Sequence, residues 1–116
     1  MRIEVRGRNV EVDEELREHV LKRFRRVGRQ VSELATLDVT VWEERNPAIA
    51  DSQVAEATLR LKGVTLHAKE ASPEMMHTVH ELAEDIRRQV KKHREKRRKR
   101  SRTRALRPAP SRRRGV

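Results

Sequence analysis

The sequence predicts an α+β fold, a two-layer sandwich in which a four-stranded sheet carries two helices on one face, in the order β-α-β-β-β-α. Four short segments alternate between apolar and polar residues, as strands with one buried face do. Two longer segments repeat apolar residues every three or four positions, as amphipathic helices do. The 116 residues have room for one domain, and with 34% hydrophobic and 41% charged residues its core must be small.

The four strands are predicted from this alternation. The first covers residues 2–6, the second 37–42, the third 55–62 and the fourth 64–69. A turn of only two residues, ending at Gly63, connects the last two apolar runs. These two strands are therefore expected to pair as an antiparallel hairpin.

The first helix is predicted over residues 13–30, with Asp13 as its N-cap. An apolar stripe at helical spacing would face the sheet along its whole length. This stripe consists of Leu16, Val20, Phe24, Val27 and Val31.

The second helix is expected to begin at Ser72 as N-cap, with Pro73 at the first helical position. Its apolar stripe ends at Val90, whereas helix-favouring residues continue to about Lys99, so the helix should project beyond its own core. Residues 101–116 are expected to be a disordered basic segment. The stripe consists of Met75, Val79, Leu82, Ile86 and Val90.

The charge is concentrated at the C-terminal end. The net charge of +11 comes from 29 Lys and Arg against 18 Asp and Glu. Residues 1–90 hold 15 basic and 17 acidic residues, whereas residues 91–116 hold 14 basic residues and only one acidic residue. We therefore divide the chain into a folded domain at 1–97 and a basic tail at 98–116. A polyanion is the expected partner, nucleic acid before an anionic membrane surface.

Two groups of basic residues are candidates for phosphate contacts. The first helix ends in five basic residues within eight positions, and matching to the helix dipole explains their order but not their number. The last helix carries two rows of basic residues at three- or four-residue spacing, where like charges repel each other. A phosphate-binding surface is the prediction, and a solvated helix end is the alternative. The candidates are Lys22, Arg23, Arg25, Arg26 and Arg29, followed by Arg87, Arg88, Lys91, Lys92 and Arg94, with Arg98 and Lys99 extending the rows.

Aromatic residues make up only 2% of the chain, so base stacking is nearly unavailable. Recognition should depend on backbone charge and on the shape of the nucleic acid. Trp42 falls on the polar side of its strand, and two interpretations stay open. It is either half-buried at the sheet edge or exposed as a stacking platform.

No arrangement of residues suggests catalysis or cofactor binding. The chain has no cysteine, so disulfides, thiolate metal sites and thiol nucleophiles are excluded. There is no glycine-rich phosphate loop, no secretory signal and no apolar run of membrane-spanning length. His77 and His80 lie three residues apart but lack an obvious third metal ligand. We expect a protein that is not an enzyme and binds no cofactor, metal or small-molecule substrate.

Three stretches of the sequence resemble a known family. They are RGRNVEVDEELREHV near the start, EATLRLKGVTLHA in the last two strands and IRRQVKKHREK in the last helix. In this order they resemble the ribosome hibernation-promoting factors, also called ribosome-associated inhibitor A or YfiA-type proteins. The resemblance covers about residues 1–97 and agrees with the predicted order of elements.

The resemblance implies a cytoplasmic protein that binds the small ribosomal subunit, and its 16S-type ribosomal RNA, under starvation or in stationary phase. Proteins of this family occupy the channel between head and body and block messenger and transfer RNA binding. The basic positions of the family correspond here to Arg23 and Arg26 on the first helix. On the last helix they correspond to Arg88, Lys92, Arg94 and Lys96.

The sequence also departs from the family pattern. Met76 stands where the family usually has a tyrosine, and Asp85 replaces a common lysine, so an RNA contact at that position is not expected. No second, dimerisation domain is recognisable, which suggests a short form that is monomeric off the ribosome. Two alternatives stay open: a general double-stranded-RNA-binding module, whose fold is similar, and a last helix that binds protein while the tail aids solubility.

Overall fold

The computed structural model describes the backbone of residues 1–106 and the side chains of residues 1–100. It confirms the predicted α+β class and the order of elements. The elements are β1 (Arg2–Arg8), α1 (Glu14–Arg23), α2 (Arg25–Gln30), β2 (Thr36–Glu43), β3 (Gln53–Leu61), β4 (Val64–Ser72) and α3 (Met75–Leu106).

The four strands form one mixed sheet in the order β1-β2-β3-β4. Strands β1 and β2 are parallel, because α1 and α2 connect them across the sheet, and the other two pairs are antiparallel. The two-residue hairpin between β3 and β4 is confirmed. Gly63 adopts φ +79° there, a conformation that favours glycine.

The core lies between one face of the sheet and the helices. Val5, Val39, Ala57 and Ala68 form a row across all four strands and are buried. Both predicted apolar stripes point into this layer, because α1 and α2 pack against α3 and α3 packs against β3 and β4. The largest fully buried side chains are Phe24, Leu37, Leu59, Leu82 and Ile86.

The first predicted helix is divided at Phe24 into α1 and α2. Asp13 caps α1 as predicted, since its carboxylate accepts a hydrogen bond from the Leu16 amide at 2.8 Å. Phe24 leaves the helical conformation, with φ −89° and ψ 2°, while both Phe24 and Val27 are fully buried. The break therefore interrupts the helix without removing either side chain from the core, and helical periodicity does not reveal it.

The predicted start of α3 is wrong by two residues, since the helix begins at Met75 and not at Pro73. Glu74, not Ser72, is the N-cap, because its carboxylate accepts hydrogen bonds from the amides of Met76 at 3.0 Å and His77 at 2.8 Å. Ser72 is instead the last residue of β4, and its side chain is buried in the core. Its hydroxyl lies 2.6 Å from the buried Thr78 hydroxyl, which also donates to the Gln53 carbonyl at 2.9 Å and so connects α3 to β3.

The last helix is longer than predicted. It ends at Leu106 rather than near Lys99, so residues 101–106, expected to be disordered, are helical. Arg, Ala and Leu in this segment have good helix propensity, and the next proline follows only at Pro108. The remaining part of the expected tail, 107–116, lies outside the described residues.

Candidate RNA-binding surface

The predicted basic residues lie in the helical layer, which covers one face of the sheet. All of them are exposed except Arg87, which is half-buried. Because α1 and α2 pack against α3, the cations at the end of the first predicted helix and those of α3 belong to one layer. We call this the basic helix surface; it consists of Lys22, Arg23, Arg25, Arg26, Arg29, Arg87, Arg88, Lys91, Lys92 and Arg94.

Glu84 of α3 lies among the cations of α2 and α3, close to Arg26 and bonded to Arg87. It accepts hydrogen bonds from Arg87, at 2.9 Å from Nη2 and 3.3 Å from Nε. The hydrogen bond from Arg87, together with the nearby charges of His80 and Arg26, lowers the pKa of the Glu84 carboxyl. Glu84 therefore stays ionised and reduces the charge that Arg87 can offer to a phosphate.

The cations of α3 do not all face the same way. Arg94 lies on the α2 side, where it borders a cleft with Gln30. Arg88 and Lys92 lie about 160–200° around the helix from the buried Val90 and point away from the core. Of these three residues, only Arg94 therefore lies beside the end of α2.

Lys96, the one candidate that came from the family resemblance alone, lies one turn after Lys92, on the side of α3 away from α2. It follows Gln89 by two helical turns and so lies on the same side of α3. Gln89 faces β4, because its amide donates to the His67 carbonyl at 2.8 Å. Lys96 therefore extends the β4 side of the helix and is not brought together with the cations beside α2.

An acidic cluster bounds the basic helix surface on the β4 side. Glu70 of β4 lies beside Asp85 and Glu81 of α3. Burial raises the pKa of the Glu70 carboxyl, as do its hydrogen bond to Asp85 and the neighbouring negative charges, while Arg88 acts in the opposite direction. Carboxylates in this position repel phosphate, which agrees with the expectation that Asp85 makes no RNA contact.

Replacing Glu70 and Glu84 separately by glutamine should have opposite effects on stability. The raised pKa of Glu70 means that its stabilising contribution is present in acid and is lost as the pH rises through the folded-state value. Glu70→Gln should therefore raise the Tm at neutral pH by about 1–4 °C and change it little near pH 4.

The lowered pKa of Glu84 means that its contribution is present above the unfolded-state value and is lost as the pH falls through the folded-state value. Glu84→Gln should lower the Tm at neutral pH by a similar amount, with a smaller effect in acid. Thermal unfolding of both variants at the two pH values measures this. Shifts of equal sign at neutral pH would contradict it.

The opposite face of the sheet also carries cations, but acidic neighbours pair with several of them. Glu4 lies 2.8 Å from Arg6 and 3.7 Å from Arg2, and Asp38 pairs with Arg60. On the basic helix surface, Arg87 is the one described side chain with a carboxylate within 4.0 Å. The helical layer therefore offers more uncompensated positive charge to a polyanion than the sheet does.

Trp42 lies on the outer face of the sheet and is neither an edge residue nor an exposed platform. Strand β2 is internal, and Trp42 is only 8% exposed because Arg8 and Lys69 cover its ring, at 4.4 and 5.4 Å from the centroid. Its indole N–H donates to Glu44 at 2.9 Å. The stacking interpretation is wrong. Sequence alternation could have placed Arg8 and Lys69 on this face, but it could not show that they cover the ring.

The described residues form neither a cluster of metal ligands nor a membrane-spanning helix. Within residues 1–106 no group of three or more potential metal ligands converges. His77 instead faces Glu81 at 3.9 Å. No helix in the same residues has the length and apolar character needed to cross a bilayer.

The fold and the surface define a class of protein, a small α+β sandwich that presents a cationic helical layer suited to a polyanion. The sequence profile of the family described as Sigma 54 modulation protein / S30EA ribosomal protein matches residues 3–98. This chain belongs to that family.

Similar proteins carry the name expected from the sequence. The chain is 31% identical over 96 residues to the ribosome hibernation promoting factor of Pseudomonas putida, covering 83% of this chain and 89% of that one. It is 27% identical to the factor of the same name from Escherichia coli K12, covering 83% and 96%. The predicted family resemblance is confirmed.

Two solved structures share the fold. A ribosomal subunit interface protein from Coxiella burnetii has a TM-score of 0.70 at 22% identity, covering 82% of this chain and 99% of that one. The N-terminal domain of Thermus thermophilus Protein Y has a TM-score of 0.70 at 21% identity, covering 80% and 99%. At these identities the likeness shows the architecture.

Proposed function

We propose that this protein is a ribosome hibernation factor that binds the small ribosomal subunit through the basic helix surface and blocks messenger and transfer RNA binding. Family membership and the relatives named ribosome hibernation promoting factor support the hibernation role. A factor that acts on ribosomes in this way would work in the cytoplasm. The proposed mechanism needs no catalysis, because a bound protein that fills the decoding channel excludes its competitors by volume.

The observation that carries this proposal is the uncompensated charge of the helical layer. Arg25 and Arg29 of α2 and Lys91 and Lys92 of α3 are exposed, and no carboxylate of residues 1–100 lies within 4.0 Å of them. Cations in this state release condensed counterions when they neutralise phosphates, which supplies most of the affinity of sequence-independent RNA binding. The sheet beneath holds the helices, so the layer meets ribosomal RNA as a rigid surface.

The extension of α3 beyond residue 97 would add to this affinity. Within 91–100 the helix carries eight Lys and Arg residues and one acidic residue, and the described side chains from Arg97 to Arg100 are all exposed. We propose the division at 97/98 as a functional boundary. Residues 1–97 would position the protein in the channel, and the basic extension would strengthen binding through phosphate contacts.

Co-sedimentation tests the proposal with the full chain, using small ribosomal subunits and a 20-base-pair RNA duplex at the same salt concentration. We expect binding to the subunit at least about tenfold tighter than to the duplex, because the proposed channel would bury several faces of the protein. Bound protein should also prevent filter retention of labelled messenger and initiator transfer RNA. Equal affinity for both RNAs would support a general double-stranded-RNA-binding module instead.

A further inference from the structure

A cleft of about 540 Å³ lies at the end of the sandwich where α3 leaves the sheet. The segment between α2 and β2 forms one wall, the β3–β4 hairpin forms the second, and α3 from Val90 to Arg97 forms the third. Its volume is within the range of about 300–1,000 Å³ that is typical of small-ligand sites.

The floor of the cleft is apolar. Val90 and Ala35 are buried at the edge of the core, and Val31 and Leu61 are partly buried beside them. Leu34 also lines the cleft and is 90% exposed, the highest exposure among the exposed large hydrophobic residues of the described chain. An exposed leucine beside an apolar floor provides a surface for a flat apolar group.

The rim of the cleft is cationic. Lys62, Arg94 and Arg97 line it, and among the described side chains no carboxylate lies within 4.0 Å of them; Arg60 also lines it but pairs with Asp38. The lining contains no acidic residue. An anion is therefore the ligand that complements this rim.

The sequence of α3 explains why apolar and cationic groups meet here. The apolar stripe of the helix passes through Ile86 and Val90, and its next positions at helical spacing are His93, Arg94 and Arg97. The face that packs against the sheet therefore becomes cationic at the place where the sheet ends. A purely solvated helix end would not require cations on this particular face.

We propose that this cleft binds a nucleotide, either free or as an unpaired residue of an RNA strand. The base would cover Leu34 and the apolar floor, and the phosphates would meet Lys62, Arg94 and Arg97. The apolar floor and the cationic rim lie within one cavity. They match the apolar base and the anionic phosphates of a nucleotide, respectively. The proposal does not depend on ribosome binding, and of the basic helix surface only Arg94 takes part.

An NMR titration of the full chain tests the proposal with adenosine diphosphate, an unstructured pentaadenylate and pyrophosphate. We expect both adenine-containing probes to shift the amides of residues 31–36, 60–62 and 90–97, and pyrophosphate to bind at least about tenfold more weakly. Tighter binding of adenosine diphosphate would assign the site to free nucleotides, and tighter binding of pentaadenylate to RNA. Equal binding of pyrophosphate, or shifts outside these segments only, would overturn the proposal.

Two matched pairs of variants locate the site. Arg97→Glu should weaken nucleotide binding at least about tenfold, whereas Arg98→Glu makes the same charge change outside the cleft and should weaken it less than about threefold. Leu34→Asp should weaken binding, whereas Ile49→Asp, at an exposed residue of the β2–β3 loop, should not. Equal effects within either pair would overturn the proposal.

Ribosome co-sedimentation of the same variants separates this inference from the proposed function. Leu34→Asp changes no residue of the basic helix surface and should retain ribosome binding while it loses the nucleotide. If the wild-type protein binds small subunits but does not bind the nucleotide, only the cleft proposal is overturned. If it binds the nucleotide but does not sediment with small subunits, only the ribosome-binding proposal is overturned.

Discussion

Replacing Arg25, Lys91 and Lys92 together by glutamine is expected to weaken binding to small ribosomal subunits about a hundredfold. Each replacement removes one exposed cation that has no acidic partner in the described part of the chain, and the loss of one phosphate contact corresponds to roughly fivefold in affinity. The slope of log affinity against log salt should fall by about two to three, because fewer counterions are released. Filter binding or co-sedimentation between low and moderate salt measures both quantities.

The matched control replaces Arg2, Arg17 and Arg45 by glutamine. These three residues are exposed, lie outside the basic helix surface and remove the same total charge. The control should weaken binding by less than about fivefold, since only long-range attraction, which salt screens, is reduced. Equal weakening by both triple variants would show that net charge, and not this surface, determines the affinity.

Replacing Phe24 by alanine is expected to reduce the free energy of unfolding by about 3–5 kcal/mol. Phe24 is completely buried, and it lies at the break between α1 and α2, where the cavity left by its ring could not be filled by neighbouring side chains without moving both helices. The total stability of a domain of this size is about 5–15 kcal/mol. The Tm should therefore fall by about 15–25 °C. The end of α1 and the start of α2 should also no longer be held in place against the core.

Circular dichroism during heating and urea unfolding measures this loss, with Leu34→Ala as the control. Leu34 is 90% exposed, so its truncation should change the free energy of unfolding by less than about 0.5 kcal/mol. If the two variants had the same Tm, the position of Phe24 in the core would be wrong. At a temperature where Phe24→Ala is unfolded, its binding to small subunits should be lost together with its helicity.

Much of the fold was predictable because local patterns and tertiary burial agree. The alternation in β2 and β3 places Leu37, Val39 and Leu59 on one face, and all three are fully buried. Gly63 closes the predicted hairpin, and Asp13 caps the predicted helix. The candidate cations were also identifiable, because their spacing on a helix and the lack of nearby acids are properties of the sequence.

Other features were not predictable because they depend on residues distant in sequence. The break at Phe24 follows from packing against α3 and the sheet, which a helical period does not contain. Trp42 is covered because β1 and β4 bring Arg8 and Lys69 next to its ring. The length of α3 was underestimated because the basic composition of residues 101–116, with Pro108, Pro110 and Gly115, indicated disorder, whereas Arg, Ala and Leu in 101–106 favour a helix.

The amino-acid sequence by itself determined the α+β class, the apolar stripes, the excess of positive charge after residue 90 and the family. These depend on period and composition, which short-range interactions convert directly into helices and strands. Only the tertiary structure decided which charges stay uncompensated, in which direction the pKa values of Glu70 and Glu84 are shifted and where an apolar floor meets a cationic rim. Each of these requires groups from different elements to lie within a few ångströms, and the packing of helices on the sheet alone sets those distances.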